Sequence, residues 1–178
     1  MIERKYTHDI TPEMDGEEVA VAGWAHEIRD LGGITFILVR DREGTIQATF
    51  KEDDNEELFN NAQNVCREDV IRIKGHVKET DQAPGDRELM PTELEIIGEA
   101  ESPLPMEVSK DIDSDRATRL DNRFIDLRRP EVHAIFSLRS HLIKSMEAYF
   151  EENDYINIQT PSIAKMGAEG GAELFPVV

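Results

Sequence analysis

Hydrophobic and polar side chains alternate with a period of two through most of the first hundred residues, the spacing of half-buried strands. Over 18–29, EVAVAGWAHEIR, Val19 and Val21 begin the pattern, and Gly23 followed by Trp24 and polar neighbours predicts a bent strand. Leu31-Gly32-Gly33 makes a turn, and ITFILVR (34–40) follows as a second strand. Asp41-Arg42-Glu43-Gly44 closes it in a four-residue turn, with the glycine expected where positive φ is cheap. TIQATFK (45–51) alternates cleanly, Ile46, Ala48 and Phe50 on one face and Thr45, Gln47 and Thr49 on the other. Across 53–65 the period lengthens to that of a helix, with Leu58, Phe59, Ala62 and Val65 on one stripe and Asp53 or Asp54 as the cap. Strands resume at VIRIKGHV (70–77) and ELEIIGE (93–99), separated by the turn-rich QAPGDRE.

Five short strands with a helix between the third and fourth is the element order of an all-β OB-fold barrel, whose open face binds single-stranded nucleic acid or sugars. An SH3-like barrel is the alternative, and the intervening helix weighs against it. The boundary of this unit falls at Ser102-Pro103-Leu104-Pro105, where two closely spaced prolines favour extended chain. The expected organisation is therefore a barrel over 1–102, a polar connector or hinge over 103–129, and a second unit over 130–178. In that second unit Pro130 suits a first helical turn. Val132, Ile135, Phe136, Leu142, Ile143, Met146, Tyr149 and Phe150 then recur every three or four positions, a long amphipathic helix running out near Asn153-Asp154. YINIQTP (155–161) is expected as a strand stopped by Pro161.

Composition changes the picture in one respect. Of 178 residues 38 are acidic and 20 basic, a formal charge of -18, and 25 of the acids but only 11 of the bases lie in residues 1–102. Lysine is scarcer than arginine, 7 against 13. No acidic block is long enough for a recruiting tail, and the pattern fits a surface adapted to very high intracellular salt, a halophilic source. At about 1 M salt the screening length falls to about 3 Å, so net charge does not veto RNA binding. It does shift recognition from phosphate attraction to stacking and hydrogen bonds. The lone Cys66, the absence of Cys/His zinc spacing, the absence of an apolar leader in MIERKYTHDI and of any apolar run near 20 residues predict a soluble cytoplasmic protein with no disulfide, no metal site and no membrane association.

Four ordered blocks carry a specific resemblance: GWAHEIRDLGGITFILVRDREGTIQATF (23–50), RLDNRFIDLRRPEVHAIFSLRS (119–140), YINIQTPSI (155–163) and GAEGGAELFPV (167–177). Together they resemble the archaeal-type aspartyl-tRNA synthetases, members of class II. The resemblance implies an anticodon-binding OB-fold followed by the truncated start of an α/β class II catalytic domain. It implies an enzyme that joins aspartate to tRNA(Asp) through an aspartyl-adenylate made from ATP with Mg2+, acting as a homodimer.

Residue by residue, the resemblance makes Phe36 the aromatic on which the central anticodon base stacks, although strand alternation alone leaves open whether Phe36 faces the core. Gln47, on the polar face of its strand, can offer both donor and acceptor to a base edge and matches the family's glutamine. Arg29 matches an anticodon-contacting arginine, and Glu95 an acceptor for base hydrogens; without the match they are a surface charge and one more solvated acid. His26 and Pro84 resemble the residues of the non-discriminating form, which charges tRNA(Asn) as well as tRNA(Asp), although a histidine near a strand end is also commonly structural. Pro161 falls in the dimer-interface motif, and Glu169, among glycines that permit a closing loop, matches the glutamate that binds the α-amino group of aspartate. The ATP and magnesium residues of the family lie beyond Val178, so no catalytic residue is expected within these 178 residues. The chain is expected to be an N-terminal fragment, inactive alone and without bound cofactor. The competing sequence readings are an asparaginyl-tRNA synthetase fragment, a freestanding OB-fold RNA-binding protein, and an acidic adaptor that fits the charge alone.

Overall fold

The computed structural model describes residues 3–108 and 114–159. The chain divides into two compact units, the first ending at Leu104 and the second beginning at Pro105. In the first, strands β1 (Glu18–Asp30), β2 (Ile34–Arg40), β3 (Thr45–Lys51), β4 (Val70–Glu79) and β5 (Arg87–Gly98) close into a barrel in the order β1-β2-β3-β5-β4, and helix α1 (Glu56–Gln63) lies between β3 and β4 in sequence. All pairings are antiparallel except β3 with β5, a short parallel seam of Gln47 with Glu88 and Ala48 with Leu89.

The core follows the alternation. Val19, Val21, Ala25, Ile37, Val39, Ile46, Ala48, Phe50, Ile71, Ile73, Val77 and Leu89 point inward and are buried. Phe59 and Ala62 of α1 plug the same core. The helix cap is Asn55, whose side chain accepts from Leu58 N at 3.0 Å, and neither Asp53 nor Asp54 fills that position. Gly44 does not adopt positive φ; the turn is held instead by Asp41, whose carboxylate accepts from Glu43 N, Gly44 N, Thr7 N and Thr7 Oγ1. Strand β5 begins six residues earlier than its alternation predicts. Pro91 lies within it and is accommodated at a register shift opposite Gly75, where a ladder donor is dispensable.

A second irregularity shapes the outer face. Between Ala25 and Glu27 the register of β1 against β2 slips by one, leaving His26 as the extra residue of a β-bulge. Such a slip exchanges the faces of every side chain beyond it. Val19, Val21 and Ala25 are inward at odd positions, whereas after the bulge Ile28 is the residue packed on the core and Glu27 and Arg29 turn outward. The bulge is braced by a buried cluster. Glu68, 3% exposed and itself at φ 66°, accepts from Arg40 Nη2 at 2.8 Å. Arg40 lies 5.5 Å over the Trp24 ring and 2.7 Å from His26 Nδ1, which accepts because a guanidinium has only donors. The backbone completes the brace, with Glu68 N donating to Ala25 O and Ala25 N to Asp69 O.

In the second unit the expected polar connector contains two short helices, α2 (Arg116–Asp121), capped by Asp115, and α3 (Arg123–Asp126). Met106, Val108 and Ile125 form a small buried cluster, and the buried Asp126 accepts from Arg119 Nε at 2.8 Å. Helix α4 (Pro130–Glu152) matches its predicted span, with Ile135, Leu138, Leu142, Met146 and Tyr149 each more than half exposed. Residues 155–159 form no strand, having no neighbouring strand to pair with among the described residues; Pro161 and Glu169 lie outside those residues. None of the described helices is long and apolar enough to cross a membrane.

Two stability outcomes follow from the barrel. Glu68→Ala strands the Arg40 guanidinium in a buried site and should cost about 3–5 kcal/mol. In a urea-unfolding double-mutant cycle, Arg40→Met with Glu68→Ala should cost well under the sum of the single changes; additive costs would mean the pair is not coupled. Gly75→Ala drives a Cβ into the Met90 carbonyl and Pro91 Cα across the strand pair, and should lower stability by about 2 kcal/mol in the same assay.

Candidate functional site

Register across the barrel aligns the outward side chains in two rows. One runs Arg29 on β1, Phe36 on β2, Thr49 on β3; the other runs Glu27, Leu38, Gln47, Glu88 and Lys78 across β1, β2, β3, β5 and β4. Neighbouring strands lie about 4.8 Å apart, so each row is a continuous strip of side chains. Phe36 is half-buried and sits on the face opposite the fully buried Ile37, which answers the orientation that alternation leaves open.

A groove of about 340 Å³ opens over these rows, lined by Glu27, Arg29, Phe36, Leu38 and Gln47 on the sheet side. Its other wall is Asp81, Gln82, Ala83 and Pro84 from the β4–β5 loop. That loop is held shut at its base by Thr80 N donating to Asp86 O and Asp86 N to Ala83 O. Gly85 takes φ 74°, and a side chain there would run into the Arg87 guanidinium. That guanidinium donates to Pro84 O and Gly85 O from Nη1 and to Thr7 O from Nη2, tying the groove wall to the N-terminal segment.

Charge in the groove is paired before any ligand arrives. Arg29 donates to Glu27 at 2.7 Å, and that bond holds the Glu27 carboxyl below its ordinary range against the opposing pull of partial burial. Glu88 is buried beneath the second row. Burial pushes its carboxyl up, but donation from Thr49 Oγ1 at 2.6 Å and Lys78 Nζ at 3.1 Å, the Lys78 charge, and Gln47 Nε2 at 3.4 Å outweigh it and hold it below the usual carboxylate value. Glu88 is therefore an ionised acceptor at neutral pH.

The groove thus gathers four of the residues singled out in the sequence, Arg29, Phe36, Gln47 and Pro84. It does not include His26, which stands in the buried bulge cluster with Arg40 and Glu68. Nor does it include Glu95, which is exposed opposite Arg72, seven residues beyond Glu88 and roughly 23 Å further along the strand at the usual rise. The acid beside Gln47 is Glu88, which sequence reasoning assigned to a turn; Leu89, fully buried next to it, was the available sign of a strand. The described residues contain no group of three or more His, Cys, Asp or Glu placed to hold a metal ion. An aromatic platform, a carboxamide and a guanidinium at the floor of one groove can stack a flat ring, pair with its edge and meet its phosphate.

Comparison with known proteins agrees with this chemistry. Residues 19–97 match the OB-fold nucleic acid binding domain of the tRNA anticodon type, and residues 115–178 match the class II tRNA synthetases of the D, K and N group. The chain is 45% identical to an aspartate-tRNA(Asp/Asn) ligase of Archaeoglobus fulgidus over 98% of its own length and 41% of that protein's. It is likewise 45% identical to one of Methanopyrus kandleri over 100% of its length and 42% of the relative's. Among solved structures, asparaginyl-tRNA synthetase from Pyrococcus horikoshii complexed with asparaginyl-adenylate superposes with a TM-score of 0.86 at 29% identity, over 98% of this chain and 40% of that one. The chain spans about two fifths of the length of the curated relatives it matches. With an OB-fold barrel followed by a class II synthetase segment, and whole-chain similarity to archaeal aspartate ligases, it belongs to the aspartyl-tRNA synthetase family of class II.

Proposed function

We propose that the groove is the anticodon site of an aspartate-tRNA ligase that charges both tRNA(Asp) and tRNA(Asn). The observation that carries this reading is the row Arg29–Phe36–Thr49 beside the row containing Gln47, with Pro84 opposite, on the outer face of a barrel of this family. In it Phe36 stacks the central base, Gln47 pairs with that base's edge, and Arg29 exchanges its Glu27 partner for the RNA. Pro84 closes the side where the last anticodon base would lie, and a proline, with neither charge nor N–H, imposes no choice between C and U there. His26 acts in this reading through the bulge that aims Arg29 and Glu27. Glu95 keeps the base-contact role implied by the family only if the RNA extends along β5 past the groove.

The net charge fits the same account. Stacking and base-edge hydrogen bonds survive salt that screens phosphate attraction, so an acidic barrel can still hold RNA. The proposed reaction activates aspartate with ATP and passes it to the tRNA 3' end, with Mg2+ supplied to a site that the described residues do not form; no step through ATP or metal is assigned to them. In the proposed enzyme Glu169 binds the aspartate amino group and Pro161 belongs to a homodimer interface. A second reading, an asparagine-specific enzyme, is favoured by the superposition on an asparaginyl-tRNA synthetase, and the higher identity to the Asp/Asn ligases weighs against it.

Fluorescent anticodon stem-loops in high potassium test the site. GUC and GUU loops should bind within a few-fold of each other, and an unrelated anticodon much more weakly; a strong preference for GUC would refute the dual specificity. Phe36→Ala should weaken both by about 1–3 kcal/mol, and an unchanged affinity would remove Phe36 from the site.

A further inference from the structure

We infer that Glu88 is a positioning residue that fixes the polarity of the Gln47 carboxamide, so that the groove presents an acceptor to the ring stacked on Phe36 and selects uracil over cytosine at the middle anticodon position. The inference rests on the anticodon reading above and adds to it a residue and a rule of choice.

The argument begins with what a carboxamide can do. Its two ends are opposite in character, an oxygen that only accepts and an NH2 that only donates, and rotating it by half a turn exchanges them. A glutamine free to turn reads either pattern. Gln47 is not free to turn without cost. Its partner across the parallel seam is Glu88, whose ionised carboxylate only accepts, so the NH2 end is the one that must face it, as the Nε2 to Oε2 contact of 3.4 Å has it. Glu88 cannot swing away to suit the other orientation. Thr49 Oγ1 grips the same Oε2 at 2.6 Å, and Lys78 Nζ holds Oε1 at 3.1 Å. On its other side Gln47 faces Leu38, which can neither donate nor accept. The oxygen end accepts no hydrogen bond from any described residue and belongs to the wall of the groove.

Phe36 then fixes where a base ring can lie, because Phe36 pairs with Thr49, two residues from Gln47 on the same face. For a ring held in that place, uracil and cytosine differ at one atom above all. Uracil N3 carries a hydrogen that the Gln47 oxygen accepts, whereas cytosine N3 is a bare acceptor that meets the same oxygen lone pair to lone pair. A carboxamide of fixed polarity therefore reads uracil, the middle base common to GUC and GUU, and leaves the choice at the third position to the loop around Pro84. Glu88 touches no base in this scheme; it acts through Gln47.

The test measures binding of the 178-residue chain to GUC and GCC stem-loops, for the wild type, Phe36→Ala and Glu88→Gln. Wild type should prefer GUC by about tenfold or more. Glu88→Gln, which has the same shape but can donate as well as accept, should bring the two loops within about twofold, mainly by weakening GUC. A general loss of structure would weaken both loops alike and keep their ratio. An RNA-free measurement stands beside it: in the wild type one of the two Gln47 side-chain N–H protons should be protected from exchange and shifted by NMR. Equal, freely exchanging protons would overturn the inference even if Glu88→Gln does not fold. Phe36-dependent binding with an unchanged GUC:GCC ratio in Glu88→Gln would refute the role of Glu88 while leaving the anticodon reading intact. No Phe36-dependent binding in the wild type would bring down that reading, and this inference with it.

Discussion

A buried ion pair between Arg40 and Glu68 holds one extra residue in the first strand of the barrel, and the outward face depends on that residue. Were β1 regular, the alternation that buries Val21 and Ala25 would carry Glu27 and Arg29 inward. The bulge at His26 reverses the sense of the strand at the point where it passes behind the groove, and the charges arrive beside Phe36 and Leu38. Buried charges are costly to desolvate, and a hydrophobic replacement of both is often at least as stable. What the pair contributes here is geometry: it sits on the bulge, with His26 and Trp24 packed against the guanidinium, and specifies one register among two.

The two rows of outward side chains divide the work of the surface. The row with Phe36 is aromatic and cationic, suited to a flat ring and a phosphate; the row with Gln47 is a relay of polar groups from the groove to Lys78, with Glu88 buried at its centre. The short parallel seam is what brings these rows together, since β5 supplies Glu88 only because it crosses beside β3 there. In a chain of charge -18, direct contacts of this kind matter more than the far field, which strong salt erases.

Much of this was legible in the residues. Period-two runs located the first four strands, the change of period located α1, and Pro130 with its apolar repeat gave α4 its full span. Three features were not. The run ITFILV is apolar at nearly every position, so the facing of Phe36 is decided only by its partners across the sheet. No local signal marks His26 as a bulge, because its brace comes from Glu68, distant in sequence and held in a left-handed conformation. The start of β5 hides in a segment rich in Gly, Pro and Asp, where local composition favours a turn and only pairing with β3 makes a strand. Glu88, the acid at the centre of the second row, was obscured for that reason, while Glu95, in a run of clean alternation, stood out.

Arg87 deserves a last consideration as a mechanical part. One guanidinium clasps the carbonyls behind Pro84 with one nitrogen and the Thr7 carbonyl with another, so the opening segment of the chain and the rim of the groove share a single strut. Whatever is attached ahead of Thr7, such as a purification tag or a reporter, therefore pulls on the same lever that sets the rim, and a carboxy-terminal attachment leaves that lever alone.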